Sequence, residues 1–400
     1  MENITVSPSA HDFSAVRSAM QRYVDAEVLP GVSYAVLEGR ALVDLQCVGW
    51  ADREHQAPLR TDHLFRAFSN TKLVTACAVL LLMEDGKLGL DDPVGDSIPQ
   101  LAKLRVLKPG ATTLDDTEPA RGPITVRHLL THSAGLSYGL LDPGSLMYKA
   151  YIERKVLNPG TPLSAMMDVL SGLPLLFHPG TSWEYSVASD VLARLVEVVS
   201  GQRFDAFLQE RIFTPLGMAD TGFVVRESER GRLSAYYRGA DAVNPMKPGL
   251  TRLDHSPYPG AYLNEMPRLS GGGGLVTTLP DMVALLRSLL PGGPTLLRPD
   301  TIAMAMRNHL PDDVTLRFAS GSLAGKVHGL LGAMTVTPSP LEPAGSAGET
   351  QWGGIAGTHW WIAPQAGLAA VLMTQRQMAF WHPYAFDFKR QVYLAAGRAV

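Results

Sequence analysis

The sequence predicts an α/β (α+β) protein in which both ends of the chain build one sheet flanked by helices, with a mainly helical region inserted between them. Three observations carry this. β-type apolar runs cluster at residues 31–48 and again at 326–374, short helical runs with Pro- and Gly-rich spacers fill the middle, and a helical pattern stands at each end. In domain terms, residues 1–90 and 266–400 form the sheet domain and 91–265 the inserted helical domain. A pocket is expected at their junction.

The first helix is predicted over residues 12–28 and stops at Pro30-Gly31. Strands at 31–37 and 41–48 follow, joined at Glu38-Gly39-Arg40 as a hairpin. In the middle region, helices are expected at 126–132, 164–170, 189–200 and 203–213. Three further strands, at 326–336, 354–362 and 368–374, lead to a closing helix at 384–396. The chain carries no internal repeat and no tract biased enough for disorder.

At 400 residues, 46% apolar and 18% charged, the chain can bury a large core. The net charge is −3 and no Lys/Arg block occurs, so there is no electrostatic footprint for nucleic acid or an anionic membrane. A small-molecule substrate is the simpler expectation; the oligomeric state is not legible. Residues 1–8 have neither a basic nor an apolar leader segment, which predicts a cytoplasmic protein. Cys47 and Cys77, the only cysteines, are expected to be reduced, with Cys77 a packing residue.

The chemistry begins at Ser69-Asn70-Thr71-Lys72, which sets a serine and a lysine one helical turn apart at the mouth of the apolar run 73–83. That run is apolar on every face except at Thr75, and Glu84-Asp85-Gly86 closes it. A helix apolar all round is buried or spans a membrane, and eleven residues fall well short of the ~20 that span a bilayer. The pair therefore sits at the N-terminus of a buried helix. There the positive helix end and desolvation disfavour an ammonium, which suits Lys72 to take the proton of a Ser69 nucleophile. On spacing alone the pair reads equally as a capping serine beside a surface lysine.

A second constellation decides between them. Val126-Arg127-His128-Leu129-Leu130-Thr131-His132-Ser133-Ala134-Gly135-Leu136 precedes Pro179-Gly180-Thr181-Ser182-Trp183-Glu184-Tyr185-Ser186, and Gln351-Trp352-Gly353-Gly354-Ile355-Ala356-Gly357-Thr358 opens a strand near the C-terminus. Together with Ser69-x-x-Lys72 these strings resemble the serine β-lactamase-like superfamily of class C enzymes and DD-peptidases, and within it the family VIII carboxylesterases. The resemblance spans nearly the whole chain, with the three motifs in order. It implies an antiparallel sheet flanked by helices, with the active site between the sheet and the helical insertion.

By that resemblance Ser69, Lys72 and Tyr185 are catalytic, the tyrosine sharing proton transfer with the lysine. The backbone N–H groups of Ser69 and Ile355 are the expected oxyanion hole. Trp352, Gly353 and Gly354 border the substrate, and Tyr138 falls at the pocket rim. Val187 stands where the β-lactamases usually have Asn, and Trp352 replaces a cation that would hold a substrate carboxylate, so neutral esters are favoured over β-lactams. The alternative Tyr262-Leu263-Asn264 lacks the Pro-Gly-x-x-Trp lead-in, and the Lys-x-Gly strings at Lys87, Lys108 and Lys247 open no edge strand.

The resemblance thus implies a serine carboxylesterase acting on short-chain esters through an acyl-enzyme, with deacetylation of cephalosporin-type esters included. The alternatives are an acyltransferase of the same superfamily, a β-lactamase or DD-peptidase, and a catalytically silent binding protein. Neither metal nor organic cofactor is implied. His128 and His132 have helical metal-ligand spacing, but Leu129 stands where a metalloprotease has Glu. The run 271–274 lacks the Lys-Ser/Thr of a phosphate loop and reads as a glycine-rich entry to a strand, with Thr278-Leu279-Pro280-Asp281 capping a helix. The nucleophile is assigned outside any α/β-hydrolase elbow, the Gly-x-Ser-x-Gly turn.

Overall fold

Both faces of the central sheet are covered, which is why its middle strands are continuous apolar runs. The computed structural model describes residues 5–140, 142–318, 321–380 and 382–400. Residues 1–4, part of the segment read for a leader, lie outside them. The strands of the sheet are β1 (Gly31–Glu38), β2 (Ala41–Asp52), β3 (Ala57–Pro58), β4 (Lys326–His328), β5 (Ala333–Thr335), β6 (Thr350–Gly353), β7 (His359–Ala363) and β8 (Leu368–Met373). They lie in the order β4-β5-β6-β7-β8-β1-β2-β3, every pair antiparallel. The two ends of the chain meet where β1 pairs with β8, Ser33 opposite Met373 and Glu38 opposite Leu368.

Alternation along these strands sorts side chains between two cores. On β1, Val32, Tyr34 and Val36 face one core and Ala35 and Leu37 the other. On β8, Leu368, Ala370 and Leu372 oppose Ala369, Val371 and Met373 in the same way. The first core is closed by α1 (Ser14–Asp25) and the C-terminal helix Pro383–Ala395, through Val16, Met20, Phe388 and Val392. The second holds α2 (Thr71–Glu84), whose residues Thr71 to Leu82 are all buried. Full burial of each leucine there is worth on the order of 2 kcal/mol.

Two predicted strands are hairpins instead. Residues 326–336 split into β4 and β5 around Gly329-Leu330-Leu331-Gly332, where the Gly329 N–H donates to the Gly332 carbonyl (2.9 Å). A Cβ on Gly329 or Gly332 would meet the Ala305 carbonyl at 2.6 Å or the Gln351 carbonyl at 2.8 Å. Residues 354–362 contain a turn ahead of β7, closed by the Gly357 N–H on the Gly354 carbonyl (2.9 Å) with Gly357 at φ +82°. Trp352 accordingly lies on β6 and Ile355 in the turn after it.

The middle of the chain carries the expected helices together with two short antiparallel strand pairs, Arg105–Leu107 with Thr117–Pro119 and Tyr237–Gly239 with Leu250–Arg252. It contains Val126–Leu130, Leu163–Ser171, α3 (Ala188–Ser200) and Phe204–Leu208, the last passing through a wider turn at Gln209–Phe213. Leu146–Glu153 is a further helix that the sequence pattern does not predict. After the glycine run, Val276–Thr277 pairs with Phe65–Arg66, and the Thr278 hydroxyl caps α4 (Leu279–Arg287) by accepting the Asp281 N–H. No described helix is long and apolar enough to cross a membrane.

Beneath β6 lies a buried ionic network. Lys326 Nζ contacts Glu342 Oε1 (2.5 Å), and Lys389 from the C-terminal helix pairs with Glu349 and donates to Gln351 (2.9 Å). Glu349 is fully buried, so its charge depends on this pairing. Lys389→Met should lower unfolding stability by roughly 3–5 kcal/mol in urea titrations, and adding Glu349→Leu should recover much of that loss.

Candidate active site

Ser69 sits in a 3₁₀ turn, Phe68–Asn70, that runs straight into α2. Phe68 adopts φ +44°, a conformation uncommon outside glycine, and it aims the turn toward the glycine run. One face of α2 holds that run: the Thr71 hydroxyl accepts the Leu275 N–H (3.2 Å), the Thr75 hydroxyl donates to the Gly271 carbonyl (2.8 Å), and Lys72 Nζ donates to the Gly272 carbonyl (2.6 Å). Lys72 is thereby buried rather than on the surface, and its Nζ also donates to Ser69 Oγ (3.3 Å).

Tyr185 reaches the same oxygen from the segment ahead of α3. Its hydroxyl donates to Ser69 Oγ at 2.7 Å, with Lys72 Nζ 4.8 Å from its ring centroid. The ring is fixed by aromatic neighbours: Tyr138 stacked at 5.2 Å, Trp352 at 5.4 Å and His132 at 5.0 Å. Ser69, Lys72 and Tyr185 therefore meet at one atom, and Tyr138 lies beside them.

The other predicted residues divide. Gly354 packs on the Ser69 turn so closely that a Cβ there would stand 2.6 Å from the Ala67 carbonyl, and the Thr358 hydroxyl donates to that carbonyl (3.0 Å). A Cβ on Gly353 would meet the Thr358 carbonyl at 2.7 Å. The backbone N–H groups of Ser69 and Ile355 have no hydrogen-bond partner among the described residues. Trp352 is buried against Tyr185, His328 and Phe380 and does not line the large cleft beside the site. That cleft, about 1200 Å³, is walled by Phe68, Tyr138, Tyr258, Tyr262, Arg268 and Ile355 among others. Tyr262 is thus near the site, but its hydroxyl donates to the Gly273 carbonyl (3.0 Å), not to Ser69.

His128 and His132 have separate structural partners. The His128 ring accepts the Thr125 N–H at the cap of Val126–Leu130, while the His132 ring accepts the Ser186 N–H (3.3 Å) beside Tyr185. Burial, then the neighbouring His328 and Lys72, push His132 well below the ordinary histidine range. Burial pushes His328 down to about 4, and it raises the Tyr138 phenol well above its usual value, with Tyr185 and Asp190 adding to the effect.

One string escapes the sequence assignment: Gly135-Leu136-Ser137-Tyr138-Gly139 does match Gly-x-Ser-x-Gly. It is no nucleophile elbow, because it lies in a loop and not between a strand and a helix. Ser137 is buried, its N–H donates to the Tyr151 hydroxyl (3.1 Å), and its carbonyl accepts the Val187 N–H (3.1 Å). Nothing in the sequence pattern singles out the Gly272 carbonyl, the Phe68 conformation or the buried histidines. The short range between the two Gly-rich stretches and Ser69 exists only in three dimensions.

This fold and this meeting of Ser, Lys and Tyr define a protein of the serine β-lactamase-like superfamily. The chain belongs to the beta-lactamase family, whose model matches residues 16–391. It is 34% identical to the esterase EstB of Burkholderia gladioli over 82% of this chain and 81% of that one. It is 38% identical to the lovastatin esterase of Penicillium rubens over 63% of this chain and 61% of that one. Among solved structures it is similar to EstCE1, described as a hydrolase with promiscuous acyltransferase activity, with TM-score 0.79, 26% identity and coverage of 95% and 98% of the two chains. These relatives bear out the resemblance to the family VIII esterases and support serine hydrolase or acyl-transfer chemistry.

The buried histidines make the fold sensitive to acid. His328, His359 and His382 are each pushed down to about 4 by burial, against 6.5 when unfolded. Between those values the unfolded chain binds more protons than the folded one, so stability rises with pH. Burial also raises Glu184 to about 7 and Asp281 to about 6, which acts in the opposite sense. The three histidines outweigh these two carboxyls, so urea unfolding should show a net fall in stability as pH drops from about 6.5 toward 4; a flat or rising profile across that window contradicts the assignment.

Proposed function

We propose that the protein is a cytoplasmic serine carboxylesterase that hydrolyses short-chain esters through an acyl-enzyme on Ser69. The observation that carries this reading is the convergence of Tyr185 OH (2.7 Å) and Lys72 Nζ (3.3 Å) on Ser69 Oγ. A serine hydroxyl becomes nucleophilic when a base within hydrogen-bond reach takes its proton, and here two candidate bases share that reach.

Ser69 Oγ attacks the ester carbonyl and its proton passes to the Tyr185 and Lys72 pair, both within hydrogen-bond reach of that oxygen. The negative charge that develops on the carbonyl oxygen is received by the backbone N–H groups of Ser69 and Ile355, both without partners among the described residues. The C–O bond to the alcohol breaks and the alcohol leaves with the proton. Water then adds to the acyl carbon, giving its proton to the same pair, and the bond to Ser69 Oγ breaks as that proton returns to the serine, releasing the acid. Aromatic walls and the absence of an Asn at Val187 favour neutral esters over β-lactams, and a cleft of about 1200 Å³ leaves room for a bulky alcohol portion such as a cephalosporin nucleus.

A second reading, acyl transfer to an alcohol, is favoured by similarity to EstCE1 and to a mutant of the simvastatin synthase LovD from Aspergillus terreus (TM-score 0.78, 25% identity, 99% of this chain and 100% of that one). Product analysis in water with an added alcohol separates the two: hydrolysis yields mainly acid, transfer mainly new ester.

Ser69→Ala should abolish turnover of p-nitrophenyl acetate and butyrate, and Tyr185→Phe should lower kcat by about 10²–10⁴-fold. Substantial turnover by the Ser69→Ala enzyme refutes the mechanism, and failure of a fluorophosphonate to label Ser69 points to a silent binding protein instead.

A further inference from the structure

Asp190 is a buried carboxylate that the mechanism above does not use. It stands in the first turn of α3, five residues after Tyr185, with 1% of its surface exposed. Neither of its oxygens has a hydrogen-bond partner among the described residues, and no cation pairs with it within 4.0 Å among them. A carboxylate is costly to bury without compensation, so the charges around it must supply that compensation.

The point it faces is Gly272, the residue whose carbonyl holds Lys72. A Cβ placed on Gly272 would lie 2.7 Å from Asp190 Oδ2, 3.2 Å from the Tyr138 hydroxyl and 3.4 Å from Lys72 Nζ. One missing methyl group thus leaves the carboxylate, the phenol and the lysine clustered around a single backbone atom. Asp190 Oδ2 and Lys72 Nζ are then at most about 6 Å apart, within the range at which an opposite charge favours an ammonium. Arg268 is the other cation whose charge Asp190 affects, although its guanidinium donates elsewhere, to the Val156 carbonyl (2.5 Å) and the Thr161 hydroxyl (3.2 Å).

We propose that Asp190 is a positioning residue that acts through Lys72: its charge stabilises the ammonium formed when the Ser69 proton is taken up during acylation. The proposal rests on the Ser69 acyl-enzyme reading. In the resting state the lysine is held by the Gly272 carbonyl and Ser69, and the carboxylate needs no direct bond to it. As Ser69 attacks, positive charge grows on the Tyr185 and Lys72 pair inside an aromatic, partly water-excluded site. A fixed negative charge close by lowers the energy of that separated state and leaves substrate binding untouched.

The test is single-turnover acylation by p-nitrophenyl acetate with native enzyme, Asp190→Asn and Asp190→Glu, each rate taken per folded molecule from near-UV circular dichroism. Asp190→Asn should slow acylation by roughly 10- to 100-fold with KM little changed, the effect of one counter-charge no more than about 6 Å away in a partly screened interior. Asp190→Glu, which keeps the charge, should acylate within about threefold of native. Native-like acylation by Asp190→Asn overturns the proposal, and so does a folded Asp190→Glu that falls tenfold or more. Either outcome leaves the nucleophile assignment standing, because that assignment fails only if Ser69→Ala remains active.

Discussion

The hydrogen bond from Lys72 Nζ to the Gly272 carbonyl is the contact on which the rest of the site depends. It fixes the lysine without an acidic partner in hydrogen-bond contact, so the nitrogen stays pointed at Ser69 Oγ. It also requires the glycine run to lie flat along α2, which Thr71 and Thr75 enforce from the same helix face. A side chain at residue 272 would run into Asp190, Tyr138 and Lys72 itself. Lysine orientation, glycine composition and burial of α2 are therefore one constraint expressed three ways.

The sheet supplies the opposing wall. Because β1 and β8 are covered on both faces, the sheet is rigid where the chain ends meet, and β6 and β7 extend from it toward the Ser69 turn. Gly354 then brings the strand end against Ala67 and Phe68, and Ile355 follows with its N–H unpaired among the described residues. A side chain at residue 354 would separate the two elements. The buried Lys389 and Glu349 pair, anchored on the same strand through Gln351, links the C-terminal helix to that wall.

Much of this is legible in the sequence. The all-apolar run after Lys72 fixes α2 as buried, the alternation at each end of the chain fixes a shared sheet, and Pro179-Gly180-x-x-Trp183-x-Tyr185 marks the tyrosine that reaches Ser69. Less legible are turns set by glycine: the hairpins at 329–332 and 354–357 look like unbroken strands, since a glycine needed for close backbone approach is indistinguishable in sequence from one tolerated within a strand. Gly135-x-Ser137-x-Gly139 shows the reverse case, a matching string without the strand-to-helix context that gives it meaning. Asp190 lies on a helix of ordinary amphipathic pattern, and only the burial of both its oxygens sets it apart.

The surroundings of Tyr185 bear on how such a site moves a proton without losing it to solvent. His132 and His328 are kept neutral by burial, and Tyr138 and Trp352 cover the phenol on two sides. None of these groups competes for the Ser69 proton at neutral pH: the histidines are poor acceptors there and Tyr138 is a poorer acid than usual. In the proposed mechanism the proton is thereby shared among three heteroatoms, Ser69 Oγ, the Tyr185 oxygen and Lys72 Nζ. Confinement raises the energetic consequence of every nearby fixed charge, because little solvent intervenes to screen it. In such an environment the chemistry is governed less by the number of polar residues than by the exclusion of all but the few that must exchange the proton.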